Sequence, residues 1–123
     1  AISSGVVFII NLFYFRDRPF SELDVTLLFY EPTDSSFPSN SAAAMFGIAA
    51  AVWGTNKKLG LGLFVIASLF GISRVMAGVH YPLDIIAAFG IGMLVAYLIF
   101  RIRHRVAPWL AVFIKAARIL CIA

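Results

Sequence analysis

Ser73 and Arg74, then His80, then Asp84 make up a polar run, "SRVMAGVHYPLD" (73–84), set between two strongly apolar stretches. An imidazole can act as a nucleophile or proton carrier near neutral pH. A carboxylate four residues further on can fix its tautomer and orientation. Two more polar clusters share this character. "NLFYFRDRPF" (11–20) carries Asn11, Arg16 and Arg18, and "DSSFPSNSAA" (34–43) places Ser39, Asn40 and Ser41 where a helix should begin. Arginine forks grip phosphate oxygens two at a time. The free N–H groups of a helix start add donors and a favourable dipole. Such a set suits phosphoryl chemistry. Each residue also has a plainer reading: Asp84 as a helix-start carboxylate favoured by the dipole, His80 as a polar side chain at a membrane interface.

The elements that must position these residues follow from hydropathy. The chain has 123 residues, 62% hydrophobic and 13% charged, with a mean hydropathy of +0.96. Soluble domains run nearer half apolar and a quarter charged, so the expected solvent is lipid and the expected fold an all-α integral-membrane helix bundle of one domain. Apolar runs cover 1–15, 42–54, 59–72 (to about 79 if Arg74 faces inward) and 85–100. A spanning helix needs about 20 residues, so about four spans are expected, the second short and the first the later part of a truncated one. Upstream spans are expected to precede Ala1. Small residues such as Ala42, Ala43, Gly47, Ala88 and Gly92 would let helices approach closely in lipid.

Residues 16–40 and 74–83 read as polar loops, "TNKK" (55–58) as a tight turn, and "RIRHR" (101–105) as the end of the last span. The expected organisation is a bundle over 1–105 and an amphipathic tail over 106–123. In that tail Lys115 and Arg118 share one face, as an interfacial helix requires. Alternating spans put all six acids on one side, and Lys57, Lys58, Arg101, Arg103 and Arg105 on the other. The positive-inside rule makes the basic side cytoplasmic. His104 reads as a juxtamembrane anchor. Cys121, the single cysteine, excludes an internal disulfide and a cysteine-based zinc site. The net charge of +4 lacks the basic, aromatic-interleaved face of a nucleic-acid binder.

At these residues the chain resembles the type 2 phosphatidic acid phosphatases. Ser73-Arg74, His80 and Asp84 match the family's third signature, "RPF" (18–20) the end of the first, and "FPSNS" (37–41) the second. "FRDRPF" and "DSSFPS" look most like the bacitracin-resistance type of undecaprenyl pyrophosphate phosphatase. The resemblance implies that His80 is the nucleophile, forming a phosphohistidine without metal or other cofactor. Asp84 would hold its other ring nitrogen, while Arg18, Arg74, Ser39 and Ser73 would bind phosphoryl oxygens, with Asn40 beside them. The implied enzyme is a lipid phosphatase of the bacterial plasma membrane, its site facing the periplasm or exterior.

Two positions depart from the family pattern. Asn11 stands where the first motif has lysine, and Arg16 could supply the charge from another direction. Ser41 stands where the second motif has the histidine taken to protonate the leaving group. General acid catalysis contributes roughly 10²–10⁴-fold. A lipid alkoxide, with a conjugate pKa of about 16 on the model of water, needs that help. A lipid phosphate, with a second pKa of about 6, leaves almost unaided. Ser41 therefore fits a lipid diphosphate better than a monophosphate. Phe13, Tyr14, Phe15 and Phe20 either hold the prenyl tail or face lipid. Other readings stay open: a catalytically impaired homologue acting as a structural or binding subunit among membrane-protein partners or copies of itself, or a histidine at 41 replaced by design.

Overall fold

The computed structural model describes residues 2–22 and 32–122, with side chains described for 2–21 and 32–103. Five helices follow in order: α1 (Ile2–Phe13), α2 (Pro19–Glu22), α3 (Asn40–Trp53), α4 (Lys57–Met76) and α5 (Pro82–Ile122). No strand occurs among the described residues. The central element is α3, which packs on α1, α4 and α5, whereas α4 and α5 touch each other little.

Small residues make that central position possible. Ala42, Ala43, Ala49 and Ala50 of α3 are buried, and Val7, Ala67 and Ala88 meet Phe46 in the core. Gly92 shows how closely the backbones pass, because a Cβ there would lie 2.6 Å from the backbone nitrogen of Gly47. In lipid, where burial of apolar surface gives helices little reason to associate, such close van der Waals packing holds the bundle together. The outer surface is correspondingly apolar. Phe8, Leu12, Leu61, Val65, Leu69 and Ile86 are all exposed, while Arg18, Ser36, Ser39, His80 and Asp84 are buried. A molecule with greasy outer faces and a polar interior at one end is built for a bilayer.

Helix α4 (Lys57–Met76) and the Pro82–Arg103 part of α5 are long and apolar enough to cross a membrane; α1 and α3 are shorter. At about 1.5 Å per residue, the 14 residues of α3 reach only about 21 Å, so it falls short of the full hydrocarbon thickness. The α3–α4 connection is tighter than expected. Asn56 caps α4 by accepting from the Leu59 amide at 3.1 Å, which brings Lys57 and Lys58 into the helix.

One expected boundary shifts. Ser73 and Arg74 belong to the last turn of α4, which runs to Met76, so the second loop is 77–81 rather than 74–83. "RIRHR" lies where the apolar span Pro82–Arg103 closes, although the helix itself continues unbroken to Ile122. Arginine is a good helix former, and a charge cluster marks a membrane boundary without interrupting backbone hydrogen bonds. The side chains of His104, Arg105, Lys115, Arg118 and Cys121 lie outside the described residues, as do Asp24 and Glu31. Phe100 packs against Gly54 of the α3–α4 turn, which puts Arg101 and Arg103 at the same end as Lys57 and Lys58. The end of α1, the starts of α3 and α5, and the close of α4 form the opposite end.

Candidate functional site

Helix α4 closes with Ala77, whose N–H bonds the Ser73 carbonyl at 2.9 Å, followed by Gly78 at φ 73°. That left-handed conformation is the usual helix exit and suits glycine. It reverses the chain so that Val79 and His80 turn inward, and both are buried. Pro82 then occupies the first helical position of α5, where its missing N–H costs nothing. Asp84 falls two residues later and reaches back to accept the Tyr81 N–H at 2.8 Å, half of a capping box. The plain reading of Asp84 as a helix-start carboxylate is therefore correct, and it is compatible with a second task.

That second task shows in the other contacts of Asp84, which is fully buried. Its Oδ2 also accepts the Ser36 hydroxyl at 2.5 Å, and its Oδ1 accepts Nη1 of Arg16 at 3.0 Å. His80 Nδ1 lies 3.6 Å from Oδ2 but only 2.9 Å from the Ser36 carbonyl oxygen. A carbonyl can only accept, so Nδ1 carries a proton, and in the neutral ring Nε2 holds the lone pair. The Ser39 hydroxyl, 3.3 Å away, donates to that lone pair. Ser39 sits at the N-cap of α3 without capping it, because its hydroxyl is spent on the imidazole.

A cavity of about 250 Å³ opens over this ring, lined by Asn11, Arg18, Asp34, Ser35, Asn40, Ser41, Arg74 and His80, with Val7, Phe8 and Pro38. Three separate sequence clusters thus meet in one place, and six of the ten residues singled out from sequence line the cavity. Two polar atoms there are buried with no partner among the described residues, Oδ1 of Asn11 and Nε of Arg74. Buried polar groups are nearly always satisfied, so an unpaired guanidinium N–H in the same cavity as the imidazole marks a place for an acceptor-bearing ligand. Arg18 is differently placed. Its Nε and Nη2 donate to the backbone and side chain of Asp34 at 3.0 and 2.9 Å, and its Nη1 donates to the Val79 carbonyl at 2.9 Å. It forms a rigid cationic wall whose charge Asp34 partly offsets.

Three expected placements differ. Arg16, half-exposed, turns to Asp84 and stacks over the Tyr81 ring at 4.1 Å, away from the cavity. Ser73 is exposed and donates to the Phe70 carbonyl of its own helix at 2.7 Å; one residue before Arg74 on a helix is about 100° round the axis, so both cannot face the cavity. The carbonyl of Ser36, rather than the carboxylate of Asp84, takes the hydrogen bond from His80 Nδ1. Ser36 was not singled out from sequence, since it contributes through its backbone oxygen and no motif encodes that. Its only signal was its place in "DSSFPS" ahead of a turn.

Comparison with known proteins fits this geometry. The profile of the PAP2 superfamily matches residues 1–108. Undecaprenyl-diphosphatase BcrC of Bacillus subtilis is 31% identical over 88% of the chain and 56% of its own length. An undecaprenyl-diphosphatase of Sulfolobus acidocaldarius is 40% identical over 66% of the chain and 40% of its own length. Among solved structures, Aquifex aeolicus LpxE superposes with a TM-score of 0.73 at 30% identity, covering 80% of this chain and 61% of that one. The transmembrane PAP2-type phosphatidylglycerolphosphate phosphatase of Bacillus subtilis gives 0.61 at 29% identity, covering 85% and 57%. The chain spans about half the length of the curated relatives it matches. With its apolar outer faces and these neighbours, the protein is an all-helical integral membrane protein. It belongs to the PAP2 superfamily.

Proposed function

We propose that the chain carries the site of a membrane lipid phosphatase that converts a polyprenyl diphosphate, of the undecaprenyl type, to the monophosphate. The observation that carries this reading is the state of His80: its Nδ1 proton is committed to the Ser36 carbonyl, which leaves the Nε2 lone pair beside a cavity where the Arg74 Nε–H has no partner. Nε2 attacks the terminal phosphorus, an N–P bond forms, and the P–O bond to the lipid phosphate breaks. Water then displaces the imidazole from phosphorus, releasing inorganic phosphate and restoring His80. The ring becomes cationic only once the N–P bond forms, and the Asp84 carboxylate at 3.6 Å stabilises that cation more than the neutral ring. Such differential binding accelerates the step.

Arg74, with Ser39 after its hydroxyl turns from Nε2, binds the transferring oxygens, while Arg18 forms the cationic wall. Asn40 and Ser41 open the first turn of α3, whose early N–H groups no side chain caps; those donors suit phosphate. Ser41 donates a hydrogen bond to the departing lipid phosphate, which needs no stronger acid. In this reading the site end faces the exterior of a bacterial plasma membrane, with Lys57, Lys58, Arg101 and Arg103 on the cytoplasmic side.

A second reading, an impaired family member serving as a binding subunit, draws on Arg18, whose three nitrogens are all occupied by protein acceptors, and on Asn11 and Ser41. Phosphate release by the purified protein and by Ser41→His separates the two. A working diphosphatase releases phosphate faster from a prenyl diphosphate than from a lipid monophosphate, and Ser41→His raises the monophosphate rate by ~10-fold or more, the low end of general-acid catalysis. Silence of both proteins on both substrates favours the binding subunit. A parent protein that prefers the monophosphate contradicts the diphosphate assignment.

A further inference from the structure

The geometry points to Ser36 as a positioning residue that holds His80 and Asp84 at once, one through each of its polar ends. This rests on the reading of His80 as nucleophile. Ser36 is completely buried. Its carbonyl accepts Nδ1–H of His80 at 2.9 Å, and its hydroxyl donates to Oδ2 of Asp84 at 2.5 Å. The same Oδ2 also accepts the Tyr81 N–H at 2.8 Å, so it meets two donors and stands 3.6 Å from the ring nitrogen. Two consequences follow. The carbonyl selects the tautomer with Nε2 unprotonated, the form able to attack phosphorus. The hydroxyl anchors the carboxylate one step away from the ring, where it acts by charge and does not pull the imidazole out of line with Ser39.

Each function can be measured separately from turnover. In the unmodified protein, imidazole ¹⁵N spectra of His80 (assigned by its loss in His80→Ala) show Nδ1 protonated and Nε2 bare. A resting protein with the proton on Nε2 overturns the proposal without any variant. Ser36→Ala keeps the carbonyl and removes the hydroxyl. The carboxylate, still tied to Tyr81 N–H and Arg16, then shifts to Nδ1–H and draws the imidazole out of line, and the Nδ1 proton resonance moves downfield as its acceptor changes from a carbonyl to a carboxylate. Loss of one charge-assisted hydrogen bond corresponds to roughly a ten- to hundredfold effect. It falls on kcat while KM for a prenyl diphosphate stays within about twofold, because the hydroxyl touches no substrate. Ser36→Ala with unchanged kcat and an unmoved Nδ1 proton overturns the proposal, as does an effect confined to KM. The nucleophile reading fails on a different result, turnover by His80→Ala, so the two are distinguishable.

Discussion

Asp84→Asn isolates charge from shape at the centre of the site. The carboxylate lies 3.6 Å from His80 Nδ1 and is fully buried. At an effective dielectric constant of about 20, a unit charge at that separation stabilises a ring cation by roughly 4.6 kcal/mol. Arg16, 3.0 Å from the other carboxylate oxygen, offsets part of this field, so about 2.5–3 kcal/mol remains as a working figure. At 1.36 kcal/mol per decade, kcat should fall by about 10²-fold. Because only a neutral ring can attack, the charge acts after binding, and KM should change by no more than about twofold. Stability should fall too, since the amide NH₂ must face either Arg16 or the Tyr81 N–H, neither of which can accept. The assay is phosphate release from micellar prenyl diphosphate, with thermal unfolding in detergent to confirm that the variant folds. A folded Asp84→Asn protein that keeps more than a third of the parent kcat would refute the electrostatic role.

Further predictions follow from packing and from the cavity. Gly92→Ala forces a Cβ to 2.6 Å from the Gly47 nitrogen and 2.9 Å from Phe46; thermal unfolding should show a loss of about 1–3 kcal/mol, the usual cost of overpacking, whereas Gly90→Ala, with open space at its Cβ, should be neutral or slightly stabilising. Arg74→Lys keeps the charge but removes the buried, unpartnered Nε–H of a cavity-lining residue; inhibition by inorganic phosphate should weaken by about tenfold, the worth of a charge-assisted bond, with unfolding unchanged. Equal phosphate inhibition in parent and variant would remove Arg74 from the binding site.

How much of this was legible in the sequence depends on the kind of contact. The apolar runs locate α3, α4 and the start of α5 within a few residues, and the polar clusters around Arg18, Ser39 and His80 do converge on one cavity, because side chains excluded from lipid have one interior to share. Helix phase decides what motif spacing cannot: Ser73 and Arg74 are neighbours in the motif yet face different directions. Arg16 was expected to replace a missing lysine, but the nearest buried anion, Asp84, takes it first. Backbone acceptors such as the Ser36 and Val79 carbonyls leave no trace in residue type, so the partners of His80 Nδ1 and Arg18 Nη1 emerge only from tertiary structure. The unbroken α5 shows the same limit, since a basic cluster reports a change of solvent and not a helix end.

The most direct measurement is rapid quench of the protein with a prenyl diphosphate labelled in its terminal phosphate. If the imidazole poised on the Ser36 carbonyl is the attacking group, the label appears on residue 80 as an acid-labile, base-stable adduct and is absent from His80→Ala, which turns over no substrate. Turnover by a folded His80→Ala protein, or label carried on any other side chain, would contradict the account.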